Sequence, residues 1–334
     1  MVITKTPYRI SFFGGGTDYP AWWRQHGGEV LGTTIDKYCY ISARSLPPYF
    51  EHKHRIVYSQ IETVQKVEEI KHPAVRGALE YLAFEGGLEV HHDGDIPARA
   101  GMGSSSSFAV GLLYALHVLR GEFVSKRDLA NEAIYLEQEV IQENVGSQDQ
   151  ILTAHGGFNR VVFHPNGDHV IEPVIVPAER LQELEKHLLL FFTGISRFAS
   201  DVARAQIENI KNRERELTEM GRMVPEALSM ICDQSCDIKE FGKLLHESWQ
   251  RKRSLSERVS SAVIDEMYQR AVGCGAVGGK ILGAGGGGFL LVFAEPANHQ
   301  AIIKGLDGLL HVPFKFENSG SRVVAYDPSM QYSA

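Results

Sequence analysis

Cysteine is scarce in this chain: four residues of 334, at Cys39, Cys232, Cys236 and Cys274. Only Cys232 and Cys236 stand close together. A single Cys-x-x-x-Cys spacing is neither a secreted disulfide framework nor a zinc pattern, so all four are expected as reduced thiols. Long apolar runs are missing too. The strongest, Leu188 to Phe192, falls far short of the roughly 20 residues that span a bilayer, and no membrane partner is expected. There is no Lys/Arg block, and 41 Asp and Glu outnumber 34 Lys and Arg for a formal charge of -7. That excludes the basic footprint of a nucleic-acid binder. The opening Met1-Val2-Ile3-Thr4-Lys5 runs straight into strand-like sequence without a signal-peptide pattern, so the expected location is the cytoplasm. His52, His54, His91 and His92 lack the cysteines or helical spacing of a transition-metal site and read as surface residues.

What remains is an ordinary globular composition, 43% apolar and 22% charged, free of repeats and low-complexity tracts. At roughly 100 to 200 residues per domain the length suggests two domains, and a change near residues 165 to 185 divides the chain into 1–175 and 176–334. Two lobes invite a cleft for a small ligand.

Alternation and β-branched residues predict strands at Val2 to Phe13, Glu29 to Ser45 and Leu88 to His92, and Pro73 to Phe84 has helical spacing. Ser104 to Leu119 is apolar on nearly every side, with its polar residues at one end, and should be a central buried helix. Ser125 and Asp128 form an N-cap signature for a helix reaching about Asn144 and broken by Gly146, followed by a short segment from Ser147 to Ala154. Strands at Phe158 to Phe163, His169 to Val176 and Leu188 to Thr193 precede a mainly helical stretch from Ala199 to Arg270. The tail alternates: strands at Lys280 to Leu282, Phe289 to Phe293, Val312 to Phe316 and Arg322 to Tyr326, with a helix near Asn298 to Gly308.

The segment that carries chemistry is Pro97-Ala-Arg-Ala-Gly-Met-Gly-Ser-Ser-Ser-Ser107. Its glycines permit close backbone approach. Its serines fall on the first turn of the buried helix, where unpaired amides and the helix dipole point at one place, which makes an anion site. A flexible linker would not run straight into an apolar helix. Other phosphate motifs fail. Gly279-Lys280 is followed by Ile281, and Cys274 stands where a Walker motif needs its first glycine. Gly283-Ala-Gly-Gly-Gly-Gly288 matches G-x-G-x-x-G, but the strand-like Phe289 to Phe293 follows where a dinucleotide fold needs a helix. A tight strand-to-strand turn and a ligand-facing loop both remain open for it.

Two carboxylates stand out by position alone. Glu137 has Ala133, Ile134, Val140 and Ile141 as helical neighbours, so its charge lies on an apolar strip and needs a partner: a structural Arg or Lys, or Mg²⁺ in a phosphate site. Asp149 sits just after the Gly146 break, either as a first-turn acid favoured by the helix dipole or as a reactive group.

Three segments in order resemble the family of galactokinases, homoserine kinases, mevalonate kinases and phosphomevalonate kinases, the GHMP kinases. They are Pro7-Tyr-Arg-Ile-Ser-Phe-Phe-Gly-Gly-Gly-Thr-Asp-Tyr19; the loop Pro97 to Ser107, similar to P-x-x-x-G-L-G-S-S-A with Met102 and Ser106 as departures; and Lys280-Ile-Leu-Gly-Ala-Gly-Gly-Gly-Gly288. Their spacing covers nearly the whole chain. The resemblance implies an α+β fold of two lobes, an N-terminal α/β lobe like ribosomal protein S5 and a C-terminal ferredoxin-like lobe. It also implies ATP and a small acceptor between the lobes, and a third motif packed beside the phosphate loop. Within the family, Phe12-Phe-Gly-Gly-Gly-Thr-Asp18, Thr34-Ile-Asp-Lys-Tyr38 and Gly146-Ser-Gln-Asp-Gln150 look most like the bacterial D-glycero-α-D-manno-heptose 7-phosphate kinases. Those enzymes phosphorylate the anomeric hydroxyl on the way to GDP-linked heptose for surface polysaccharide.

Residue by residue, the resemblance makes Asp149 the catalytic aspartate, which orients the acceptor hydroxyl and takes its proton, and Arg9 the motif arginine that stabilises the transferring phosphoryl group. ATP is then held by Pro97, Ala100, Gly101, Met102, Gly103, Ser104, Ser105, Ser106 and Ser107. Mg²⁺ is held by Glu137 with one of the serine hydroxyls, Ser105 first. Asp18, with Thr17 and Asp36, accepts hydrogen bonds from sugar hydroxyls, and Gly285 and Gly286 border the acceptor. Galactokinases carry Glu-His where this chain has Gly15-Gly16, which frees space for the extra carbon and phosphate of a heptose 7-phosphate. The acceptor phosphate needs a basic pocket, for which Arg24, Lys37, Arg44, Arg55 and Arg197 are candidates. Another acceptor, such as fucose, galactose or an isoprenoid alcohol, keeps the same fold. A non-catalytic ATP and sugar sensor would tolerate loss of Arg9, Ser105, Glu137 and Asp149, all of which are retained. A monomer and a homodimer both fit the sequence.

Overall fold

The computed structural model describes residues 1–98, 100–196 and 199–328. The first half of the chain contributes β1 (Val2–Phe13), α1 (Pro20–His26), β2 (Gly28–Ser45), β3 (His54–Val57), β4 (Ile61–Val64), α2 (Pro73–Tyr81), β5 (Leu88–Gly94), α3 (Ser104–Leu119), α4 (Lys126–Tyr135), α5 (Gln148–His155), β6 (Asn159–Phe163) and β7 (His169–Pro173). The second half contributes α6 (Ala178–Lys186), β8 (Leu188–Phe192), α7 (Ala199–Glu208), α8 (Glu214–Cys232), α9 (Ile238–Ser254), α10 (Ala262–Gly273), β9 (Ala276–Ile281), β10 (Phe289–Ala294), α11 (His299–Gly305), β11 (Leu310–His311), β12 (Phe316–Glu317) and β13 (Arg322–Tyr326).

The strands form two sheets. The larger has the order β13-β1-β2-β5-β3-β4, with β12 and β6 also on β2 and β7 beside β6; the smaller is the antiparallel set β11-β8-β10-β9. This is the expected α+β architecture of two sheets with helices packed on them. β1 alternates in burial over its first residues and is buried throughout from Thr6 onward, because its second half is covered on both faces. Helix α3 is buried from Ser106 to Leu113 and is tied to β1 by Ser107 Oγ, which donates to Pro7 O at 3.0 Å.

Several expectations need correction. The chain past residue 315 returns to the larger sheet: Phe316 and Glu317 pair with Ile35 and Thr34, and Arg322 to Tyr326 pair with β1. A division at 175/176 therefore separates partners of one sheet. Residues 312–315, expected as strand, bridge β11 and β12. The helix after Ser125 does not reach Asn144. At Leu136 it widens into a π turn ending at Val140, closed by Ile141 N–H donating to Leu136 O at 3.0 Å, and Gln142 at φ 55° turns the chain away before Gly146. β3, β4 and α6 were not foreseen; the two strands are four residues each, too short for a period to show. His54 is buried on β3 instead of lying at the surface, and burial pushes its pKa down.

Candidate active site

β1 and α5 bring Arg9 and Asp149 together. Arg9 Nε donates to Asp149 Oδ1 at 2.7 Å, Nη2 donates to Oδ2 at 2.5 Å, and Nη1 donates to Gly101 O at 2.8 Å. The guanidinium is 3% exposed and the carboxylate 23%, so the fork fixes the acid from behind and leaves it a face toward solvent. Asp149 stands in the first turn of α5, where the helix dipole also favours its charge.

The phosphate loop lies directly against this pair. Gly103 caps α3 in the left-handed region at φ 76°, and a Cβ there would come within 3.3 Å of Arg9 Cγ and 3.4 Å of Asp149 Oδ2. Any side chain would crowd the space between the α3 amides and the carboxylate. The backbone N–H of Arg9 donates to Met102 O at 3.1 Å, so the buried Met102 fixes the loop on β1. Pro97 is exposed at the mouth of the loop and Ala100 is buried at its base.

The third glycine motif is a β9 to β10 turn, and it packs on the phosphate loop. A Cβ on Gly101 would lie 2.7 Å from Leu282 O, and one on Gly283 would lie 2.7 Å from Gly101 Cα. Backbone meets backbone there, and of the two readings left open for this motif the tight strand-to-strand turn is the one found. Gly286 N–H donates to Val259 O at 2.8 Å, and Gly285 faces the same residue, so both are committed to the segment after α9.

Glu137 is buried, with Ser106 Oγ donating to Oε2 at 2.7 Å and Gln150 Nε2 donating to it at 2.5 Å. Ser105, on the same turn and exposed, also hydrogen-bonds to it. These partners are neutral, so the structural Arg or Lys pair, one of the two alternatives, is not what holds it. Burial pushes its pKa up to about 7, the Asp149 charge adds to the rise, and the serine and glutamine hydrogen bonds oppose it. A buried carboxylate with hydroxyl oxygens around it at a helix N-terminus is a donor set suited to a hard divalent cation beside phosphates. The π turn aims Glu137 inward, a common use of such turns at functional sites.

Asp18 is buried, accepts from Gly16 N–H through Oδ1 at 2.9 Å, and lies against Gly146, where a Cβ would collide with Oδ2. Burial raises its pKa, and the neighbouring Asp149 charge adds to the rise. A Cβ on Gly15 would lie in ordinary van der Waals contact, 3.7 Å from Gln148 Nε2 and from Ser11 Oγ, and Gly16 is closer packed, 3.0 Å from Leu217 Cδ2, so neither glycine borders an empty space in this structure. Thr17 is not open either: its hydroxyl donates to Gly14 O at 2.8 Å and Glu29 O at 2.9 Å and accepts from Glu29 N–H. Asp36 holds Lys37 at 3.0 Å and accepts from Lys315 N–H at 2.9 Å, outside the cluster around Asp149. Among the basic candidates, Arg44 and Arg55 both bind Glu89, Lys37 binds Asp36, and Arg24 lies over the Trp23 ring. Arg197 lies outside the described residues.

Two lysines escaped the sequence reading. Lys280 on β9 is buried and donates to Ser11 O at 2.9 Å and Phe12 O at 2.8 Å, pinning the smaller sheet to β1. Lys252 on α9 is buried and donates to Gly283 O, within the fields of Arg9, Asp18 and Asp149. The signal was available: Lys252 follows Leu245, Ser248 and Trp249 at helical spacing, the argument that singled out Glu137. Burial and the Arg9 charge lower its pKa to about 8. The ammonium is therefore charged below about pH 8 and discharges above it, and kcat/KM should fall through that range. Lys252→Arg keeps the charge and should flatten this alkaline limb in a pH-rate profile. An identical limb in both proteins would remove Lys252 from the site.

Comparison with known proteins agrees with this geometry. The profile of the GHMP kinases N terminal domain matches residues 68–157, and that of the GHMP kinases C terminal domain matches residues 234–307. A D-glycero-alpha-D-manno-heptose 7-phosphate kinase of Campylobacter jejuni is 29% identical over 91% of this chain and 92% of its own length. A galactokinase of Pyrococcus furiosus is 26% identical over 90% of this chain and 91% of its own. Among solved structures, a D-glycero-D-manno-heptose 1-phosphate kinase from Bacteroides thetaiotaomicron superposes with a TM-score of 0.80 at 21% identity, covering 98% of this chain and all (100%) of that one. No helix among the described residues is long and apolar enough to cross a membrane. The chain thus carries the N-terminal and C-terminal domains of the GHMP kinases, and with relatives that match over nine-tenths of its length it is an ATP-dependent phosphotransferase acting on a sugar hydroxyl.

Proposed function

We propose that this sugar kinase transfers the γ-phosphoryl group of ATP to the C1 hydroxyl of D-glycero-α-D-manno-heptose 7-phosphate, yielding the 1,7-bisphosphate and ADP. The observation that carries the reading is the Arg9 fork on Asp149, set beside the α3 N-terminus. Similarity to the heptose 7-phosphate kinase of Campylobacter jejuni supports the choice of acceptor. The product would feed GDP-heptose formation for surface polysaccharide, and the cytoplasm supplies the ATP and keeps the four free cysteines reduced.

The acceptor sugar lies against Asp18, and its C1 oxygen faces Asp149. The carboxylate accepts the hydroxyl proton as the oxygen bonds to the γ-phosphorus and the bond to ADP breaks. Arg9 holds the carboxylate in place and adds positive charge near the equatorial phosphoryl oxygens; the amides of α3 hold the other phosphates. Glu137, with Ser105 or Ser106, would hold Mg²⁺, which supplies charge neutralisation on the triphosphate when bound. A monomer and a homodimer serve this chemistry equally.

A coupled ADP assay against a panel of sugars tests the reading. Heptose 7-phosphate is expected to exceed bare heptose, galactose and fucose in kcat/KM by about 100-fold or more, the scale set by a charge-assisted phosphate contact. Equal turnover of galactose would instead favour a galactokinase-type acceptor, in line with the Pyrococcus furiosus relative.

A further inference from the structure

We propose that Lys252 is a second cation on the transferring phosphoryl group, supplied by the C-terminal half of the chain in addition to Arg9. This role belongs to the donor nucleotide and holds for any acceptor sugar, so it goes beyond the heptose 7-phosphate reading and does not depend on it.

A short path of contacts runs from Lys252 to the phosphate loop. Its ammonium donates to Gly283 O in the β9 to β10 turn. A Cβ on Gly283 would lie 2.7 Å from both Gly101 Cα and Gly101 O, so that turn rests on the backbone of the loop. Gly101 O in turn accepts from Arg9 Nη1 at 2.8 Å. Lys252 and Arg9 therefore reach the same stretch of loop, just ahead of the α3 amides, one from each half of the chain. Arg9, Asp18 and Asp149 are the charged groups that act on Lys252, so its ammonium lies where the phosphate loop meets the residues of the acceptor side. Gly101 and Gly283 are partly exposed, whereas both cations are buried.

The unfilled donors of Lys252 point to its partner. Arg9 is paired with Asp149 through a two-bond fork, and Lys280 gives its donors to two carbonyls of β1. Lys252 is 4% exposed and has Gly283 O as its acceptor, with no carboxylate paired to it among the described residues. One carbonyl satisfies neither the charge nor the three donors of an ammonium, and a buried cation left in that state is costly unless an anion completes it. The γ-phosphoryl group brings equatorial oxygens to the loop that Lys252 already meets through Gly283, and a compact ammonium with rotatable donors suits them. Lys252 neither gains nor loses a proton in the transfer. The bond from the acceptor oxygen to γ-phosphorus forms, the bond to ADP breaks, the hydroxyl proton goes to Asp149, and the ammonium offsets charge on the equatorial oxygens throughout.

Lys252→Met keeps the length of the side chain and removes its charge, and Lys252→Gln leaves an amide donor in its place. Calorimetric titration with ADP and with the β,γ-imido analogue of ATP separates a contact to the γ-phosphoryl group from support of the loop, because ADP lacks that group. Both variants are expected to bind the analogue about 10-fold more weakly while the Kd for ADP stays within about twofold. Their kcat should fall on the order of 100-fold with whichever sugar the acceptor panel shows to be turned over best. Lys252→Arg keeps the charge and should retain the preference for the analogue over ADP. Equal weakening of ADP and analogue would mean that Lys252 only holds the Gly283 turn, and unchanged kcat in either uncharged variant would likewise overturn the assignment. Neither result bears on the choice of heptose 7-phosphate as acceptor.

Discussion

Asp149→Asn is expected to lower kcat on the order of 100-fold or more, with a smaller change in KM for either substrate. The amide oxygen can still accept from Arg9 Nε, but the amide nitrogen presents a donor to Arg9 Nη2 and cannot take the acceptor proton. Arg9 is buried, so losing half its fork should cost stability of about 1–3 kcal/mol while the bond to Gly101 O persists. Cooperative thermal unfolding would show that the fold survives. Near-normal kcat in a folded variant would exclude Asp149 as the group that receives the proton.

Glu137→Gln should separate stability from activity. The ionised carboxylate is buried among neutral partners, and its pKa stands near 7 against an ordinary 4.5. At about 1.4 kcal/mol per unit, ionisation in the folded protein costs on the order of 3 kcal/mol at mildly alkaline pH. The sign follows from proton binding: the folded state holds this proton more tightly than the unfolded one. The penalty is fully present above about pH 7 and fades as pH falls toward 4.5. Glutamine keeps an acceptor for Ser106 and Gln150 and carries no charge, so without nucleotide or metal the variant should melt higher than the unmodified protein at about pH 8. The gap should close at about pH 5. With ATP the same variant should lose about 100-fold in kcat. A lower melting temperature at both pH values would mean that the carboxylate serves the fold.

Local signals in the sequence carried much of this. β1 and α3 have the predicted bounds, β1 from its alternation and β-branched residues, α3 from a polar first turn on a helix that is apolar on nearly every side. Glu137 was visible from its four apolar neighbours. Asp149 and Arg9 were named through the family motifs, and their bidentate contact joins residues 140 positions apart, which no window on the sequence contains. Long separation likewise hid the return of the tail to β1 and β2, whereas Lys252 was marked by its helical spacing and only its partner Gly283, in the β9 to β10 turn, needed the fold. The π turn was invisible for another reason. A turn one residue wider than α conserves composition and differs only in hydrogen bonding, so the apolar strip from Leu129 to Val140 reads as one regular helix.

The placement of β13 sets an order of assembly. β1 carries Arg9 and lies between β2 and β13, and residues 1 and 327 meet there, with Asp327 N–H donating to Met1 O at 2.8 Å and the Met1 amine donating to Asp327 O at 2.8 Å. While the chain is being synthesised, β1 and β2 can pair early, but one edge of β1 stays open until residues 322–326 leave the ribosome. An open edge strand invites pairing with other chains, so the nascent protein carries this hazard until residue 326 has emerged. Residues 322–326 thus close the strand that holds Arg9.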